Sequence, residues 1–151
     1  MVSHTENNTR KVFEISLAEF SLADSLYNGK LSNLDFPAKA KNDFDINAVE
    51  YVSGFWNGKA ADQSYLHELK MRTGDIGVKN VLIMVDSEGE LGASDLKERN
   101  KAVENHYKWI DAASYLDCLA VRVNIGGDGS PTEIMNAAID GYGKLLEYGA
   151  K

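Results

Sequence analysis

The sequence predicts an α/β fold of four parallel strand–helix units, half of an eight-unit (β/α)8 TIM barrel. Three observations predict it. Short apolar runs at 12–17, 46–52, 81–85 and 119–123 alternate with longer segments of helical period, the order that yields a parallel sheet with right-handed crossovers. The runs lead into polar or charged residues: Glu19, Glu50, Asp86 with Glu88, and Arg122 with Asn124. Parallel sheets and barrels build their active sites from groups at the carboxyl ends of the strands. The chain has 151 residues, whereas a closed eight-unit barrel takes about 250, with a lower limit near 200.

Residues 1–11 are polar and read as a flexible tail, followed by one domain over 12–151. Val12-Phe-Glu-Ile-Ser-Leu17 alternates as a strand does. A short helix follows over 21–28, stopped by Gly29. Asp35-Phe36-Pro37 then reads as a helix start, with Asp35 as the cap and Pro37 in the first turn, running to about Phe44. The second strand is expected at 46–52. A loop over 53–61 containing Gly54, Trp56 and Gly58 leads to a helix over about 62–73.

Val81-Leu-Ile-Met-Val85 is continuously apolar, which fits a strand buried on both faces. Ser94 is expected to cap a long helix from 95 to about 116, with Val103, Tyr107, Ile110 and Ser114 along one stripe and Ala102, His106, Trp109 and Ala113 beside it. After the fourth strand, Ser130-Pro-Thr-Glu133 combines a capping box with proline at the first helical position. That helix is expected to reach Tyr148, with Gly149 as its stop.

Composition narrows the function. Sixteen Lys and Arg against 23 Asp and Glu give a net charge of −7, which repels phosphate backbones and argues against nucleic acid. No apolar run approaches the roughly 20 residues of a membrane span, and the polar amino terminus has no apolar signal core; a cytoplasmic protein is expected. The single cysteine, Cys118, excludes an internal disulfide and is expected to be a buried, inert thiol.

Parity on the fourth strand puts Ala120, Arg122 and Asn124 on one side and Val121 and Val123 on the other. With the valines toward the helices, Arg122 and Asn124 face the inside of the barrel near its mouth. An inward arginine needs solvent, a ligand or a carboxylate such as Glu50, and these readings are compatible. Glu50 lies between Val49 and Tyr51; it reads as a pocket wall, a general base or the partner of Arg122, with wall plus ion pair favoured. Asp86-Ser-Glu-Gly-Glu90 gathers three carboxylates without the spacing of an EF-hand loop, and a solvated turn is the simpler reading. Ile125-Gly-Gly-Asp-Gly-Ser130 matches neither a Walker loop nor a dinucleotide fingerprint. The histidines His4, His67 and His106 show no metal-ligand spacing.

Six short motifs occur in order: Ser16-Leu-Ala-Glu-Phe-Ser21, Leu34-Asp-Phe-Pro37, Ala48-Val-Glu-Tyr-Val52, Leu82-Ile-Met-Val-Asp-Ser-Glu-Gly89, Asn105-His-Tyr-Lys-Trp109 and Val121-Arg-Val-Asn124. Together, over about 12–151, they resemble the amino-terminal half of a sugar phosphate isomerase/epimerase of the xylose-isomerase-like TIM-barrel superfamily. The resemblance implies an enzyme that moves a proton next to a sugar carbonyl, on a sugar or sugar phosphate, with a divalent metal (Mn, Mg, Co or Zn). It places the metal ligands and the acid–base pair on the fifth to eighth strands. It carries over to this chain only a first-half wall: Glu50, Asp86, Glu88, Arg122 and Asn124 as polar lining, with Glu19 and Phe20 at the rim. No catalytic residue and no metal ligand is assigned to this half. The expectation is therefore a half-site, inactive until a C-terminal half-barrel or self-association completes it. A non-catalytic sugar-binding or assembly module of half-barrel form is the alternative, and a complete flavodoxin-like domain is a third reading.

Overall fold

The computed structural model describes residues 13–151; the tail at 1–11, Val12 and His4 lie outside the described residues. A sheet of four parallel strands carries its helices on one face. The strands are β1 (Leu17–Ala18), β2 (Ala48–Val52), β3 (Lys79–Val85) and β4 (Ala120–Val123), in the spatial order β1-β2-β3-β4. A flavodoxin-like sheet changes direction at a switch point. The sequential order here has none, so the sheet is an arc of a barrel.

The helices are α1 (Ala23–Tyr27), α2 (Phe36–Phe44), α3 (Gln63–Ile76), α4 (Leu96–Tyr115) and α5 (Pro131–Gly149). Their caps are local chemistry. Asp62 accepts from the Ser64 and Tyr65 amides to start α3, and Gly77, at φ 67°, ends it in the left-handed conformation a glycine adopts without strain. Ser130 and Glu133 form the expected capping box on α5, with Pro131 in the first turn. Two expected caps are corrected. Asp95, not Ser94, accepts from the Glu98 amide at the start of α4, because Ser94 is held by Asp128 instead. Asp35 makes no cap bond to α2; its carboxylate takes Ser32 and Arg72.

The first strand is also shorter than its alternation predicts. Only Leu17 and Ala18 join the ladder with β2; Phe13 and Ile15 before them are exposed, while Glu14 meets Lys79 and Ser16 donates to Glu50. Nor is β3 buried on both faces. Ile83 and Val85 are buried against the helices, while Leu82 and Met84, on the other face, are only half-buried.

The core fills the space between sheet and helices. Val49, Tyr51, Ile83 and Val85 point into it from the strands, and Phe36, Leu66, Leu69, Trp109 and Leu116 from the helices. Trp56, from the loop after β2, sits fully buried at its centre, edge-on to Tyr51 and Trp109 at ring distances of 5.7 and 5.4 Å. His106 is buried in α4, its Nδ1–H donating to the Ala102 carbonyl at 2.7 Å. Cys118 packs against the same core, and burial, the larger cause, together with Asp117 pushes its thiol up to about 12. An inert thiol results.

Candidate functional site

The open face of the sheet carries the polar residues. Register places Glu50 beside Leu82 and Leu82 beside Ala120, with Met84 beside Arg122 one pleat higher. Paired residues of neighbouring strands share a face, so Glu50 and Arg122 both project from the side that no helix covers. Val121 and Val123 pack into the core, as parity requires.

Three of the expected residues meet at the carboxyl ends of β3 and β4. Arg122 donates from Nη2 to the Asn124 side-chain oxygen at 3.0 Å, and Asn124 donates from Nδ2 to Asp86 Oδ1 at 2.6 Å. The asparagine joins a cation to an anion, both accessible to solvent. Ser53 fixes the backbone beneath Asp86: the Asp86 amide donates to Ser53 Oγ at 2.9 Å. A row of guanidinium, carboxamide and carboxylate on an open surface retains donors and acceptors suited to hydroxyl groups, and the guanidinium also suits a phosphate.

The other expected residues are held elsewhere. Glu50, half-buried, accepts from the Ser16 hydroxyl rather than from Arg122, so the proposed ion pair between them is replaced by these two separate contacts. Glu88 turns toward α4, where its Oε1 accepts from Trp109 Nε1 at 2.7 Å and meets Lys108 Nζ at 2.8 Å. Phe20 is exposed beside Phe55, their rings 6.5 Å apart.

Glu19 is not at the rim. It is fully buried, with Asn33 Nδ2 donating to Oε1 and the Val52 amide donating to Oε2, each at 2.8 Å. Asn33 in turn accepts from the Tyr65 hydroxyl. Burial pushes the Glu19 carboxyl up to about 7, against the opposing pull of its two hydrogen bonds. Burial, then the Glu19 charge, raises the Tyr65 hydroxyl as well. Glu19 thus ties the end of β1 to the end of β2 and to the loop before α2. Sequence reading passed over Ser53, Asn33 and Tyr65, whose partners lie 14 to 33 positions away.

The carboxylates do not converge. Among the described residues no group of three or more His, Cys, Asp or Glu side chains is placed to hold a metal ion. Glu88 is committed to Lys108 and Trp109, Glu19 is enclosed, and Glu50 is turned to Ser16. The donor set of this half does not fit a metal cage. The Gly-rich turn after β4 is likewise occupied: Asp128 accepts from the Ser94 amide and hydroxyl, and Gly92 donates to the Ile125 and Gly126 carbonyls.

No protein-family model matches the sequence, and no curated protein matches it significantly. Solved structures do match the fold. A protein described as a candidate xylose isomerase, from Rhodospirillum rubrum, aligns over 91% of this chain and 50% of its own, with TM-score 0.72 and 12% identity. A D-psicose 3-epimerase, solved in the presence of D-fructose, aligns over 91% and 50% with TM-score 0.67 and 8% identity. A protein from Sinorhizobium meliloti aligns over 90% and 46% with TM-score 0.66 and 16% identity. The chain spans about half the length of the solved structures it matches. Its fold is four parallel strand–helix units, one half of a (β/α)8 TIM barrel.

Proposed function

We propose that this chain forms one wall of a sugar-binding pocket in an isomerase or epimerase that shifts a proton next to a sugar carbonyl. The observation that carries the proposal is the Arg122–Asn124–Asp86 row on the uncovered face of the half-barrel. It is supported by the likeness to sugar-processing barrels, one of them solved with D-fructose.

In this reading Arg122 and Asn124 bind and orient hydroxyl or phosphate oxygens of the sugar. Asp86 accepts a hydroxyl proton and holds the Asn124 amide in place. Glu50 lines the floor, and Phe20 lies at the mouth. Proton abstraction next to a carbonyl needs a placed base and a charge to stabilise the enolate. A divalent metal supplies that charge when bound, and its ligands, with the acid–base pair, belong to the half of the barrel that these four strands do not provide. Nothing in this half performs the chemistry alone. We place the protein in the cytoplasm on the strength of its composition; no helix among the described residues is long and apolar enough to cross a membrane.

The test is a nitrogen-15 NMR titration of the chain with D-fructose and D-fructose 6-phosphate. The expected result is shifts concentrated at the Asp86 amide, the Asn124 side-chain amide and Arg122 Nε. No shifts at millimolar sugar, or shifts confined to the amino ends of the strands, would refute it.

A further inference from the structure

Strands β3 and β4 hand the chain to two loops, residues 86–95 and 124–130, that stay in contact along their length. At their roots Asn124 Nδ2 donates to Asp86 Oδ1 at 2.6 Å. Midway, the Gly92 amide is shared between the carbonyls of Ile125 and Gly126, at 2.9 and 3.0 Å. At the far end the Asp128 carboxylate accepts from the Ser94 amide at 3.0 Å and from the Ser94 hydroxyl at 2.8 Å. Those two bonds, the amide first, hold the Asp128 carboxyl below its ordinary range, so the carboxylate is the bonded form at neutral pH.

The middle contact admits only glycine. A β-carbon on Gly92 would lie 2.4 Å from the Gly126 carbonyl oxygen, and one on Gly127 would lie 2.3 Å from the Gly92 oxygen. Backbone meets backbone there, and neither side can swing away as the end of a long side chain could. Ile125, whose carbonyl Gly92 holds, directly follows Asn124. Asn124 therefore sits between the β4 ladder, which ends at Val123, and a carbonyl fixed by the neighbouring loop.

That support matters because Asn124 is exposed and stands outside the ladder, where an unsupported side chain keeps its rotamer freedom. Its carboxamide serves both neighbours in one orientation only: the oxygen accepts from Arg122 Nη2 and the nitrogen donates to Asp86. Asp86 is fixed separately, by Ser53 on its amide, so the Asn124 side of the contact is the one the loops decide. We infer that Gly92 and Asp128 are positioning residues, which clasp the loop after β4 to the loop after β3 and so hold the Asn124 carboxamide between Arg122 and Asp86. The purpose of that order rests on the sugar reading; the clasp itself rests on the contacts of the two loops.

Nitrogen-15 NMR of the Asn124 side-chain amide, combined with calorimetric titration of D-fructose 6-phosphate, tests the clasp in Asp128→Ala, Asp128→Asn and Gly92→Ala. Asp128 is exposed, so Asp128→Ala should melt within about 2 °C of wild type. Its Asn124 side-chain protons are expected to move to the positions of a free carboxamide. Its affinity for the sugar phosphate is expected to fall about tenfold, the worth of one ordinary hydrogen bond. Asp128→Asn keeps an oxygen for the Ser94 amide and should restore both readouts. Gly92→Ala should move the Asn124 signal in the same direction; should it lose its fold, the two Asp128 variants still decide. An Asn124 signal unmoved in Asp128→Ala would overturn the inference. So would an Asp128→Asn protein that behaves like Asp128→Ala, since the effect would then come from charge and not from the bonds to Ser94. A wild type without affinity for the sugar phosphate would refute the sugar reading, and the Asn124 signal would still decide the clasp.

Discussion

Glu19 is the residue whose position departs most from a reading of the sequence. A glutamate just past a short apolar run invites the reading of a charged rim, and nothing local signals that it is enclosed. Its surroundings come from Asn33 and Val52, with Tyr65 behind Asn33. The sign of its pH effect follows from the raised carboxyl. Its folded value of about 7 exceeds the ordinary 4.5, so the folded state holds the proton more tightly. The stability this contributes is complete below about 4.5 and is lost as pH rises through about 7. Between pH 5 and 8 the wild type should therefore lose stability relative to Glu19→Gln, by on the order of 3 kcal/mol for a shift of this size. Urea denaturation of both proteins across that range measures it; parallel pH profiles would show that Glu19 does not bind a proton on folding in that range. Arg122, Asn124 and Asp86 were legible for the opposite reason. Strand parity and strand ends are local facts, and they decided where these side chains project.

At the scale of elements, what was legible depended on whether the signal was complete within a few residues. Pro131 with the Ser130 and Glu133 box fixes the start of α5 from four consecutive positions. The start of α4 offered two adjacent cap-forming residues, Ser94 and Asp95, and the choice was made from 34 positions away by Asp128. Asp95→Ala should accordingly cost about 1 kcal/mol, the usual value of a lost cap. Ser94→Ala should leave α4 helicity unchanged and loosen only the turn around Asp128. Amide hydrogen exchange at Glu98 separates the two, and faster exchange in Ser94→Ala alone would reverse the assignment. The first strand was misread because alternation reports a tendency to pair, and only Leu17 and Ala18 join the ladder with β2, while Glu14 and Ser16 reach Lys79 and Glu50 through side chains. The burial of β3 was overestimated for a related reason: its continuous apolar run suits the interior of a closed barrel, and here one face stays open.

At the scale of the whole molecule, the alternation of strand–helix units carried the fold, and the sequential strand order agrees with it. The four-stranded arc holds the polar Arg122–Asn124–Asp86 row on its uncovered face but no set of carboxylates or histidines, among the described residues, that fits a metal. The chain alone should therefore show no turnover of ketoses or their phosphates with added Mn2+ or Co2+. Turnover that disappears on treatment with EDTA would mean that this half carries a complete site. The proposed wall was only partly legible, because Glu88 and Glu50 have the residue type expected of it yet are claimed by Lys108, Trp109 and Ser16. The central claim is that the exposed Arg122 row serves a sugar and not the fold. Calorimetric titration with D-fructose 6-phosphate, paired with thermal unfolding, tests it most directly in Arg122→Ala. The account predicts at least a tenfold loss of affinity with a melting temperature within about 2 °C of wild type, since a solvent-exposed side chain contributes little to stability. Unchanged affinity, or a melting temperature that falls in step with binding, would contradict it.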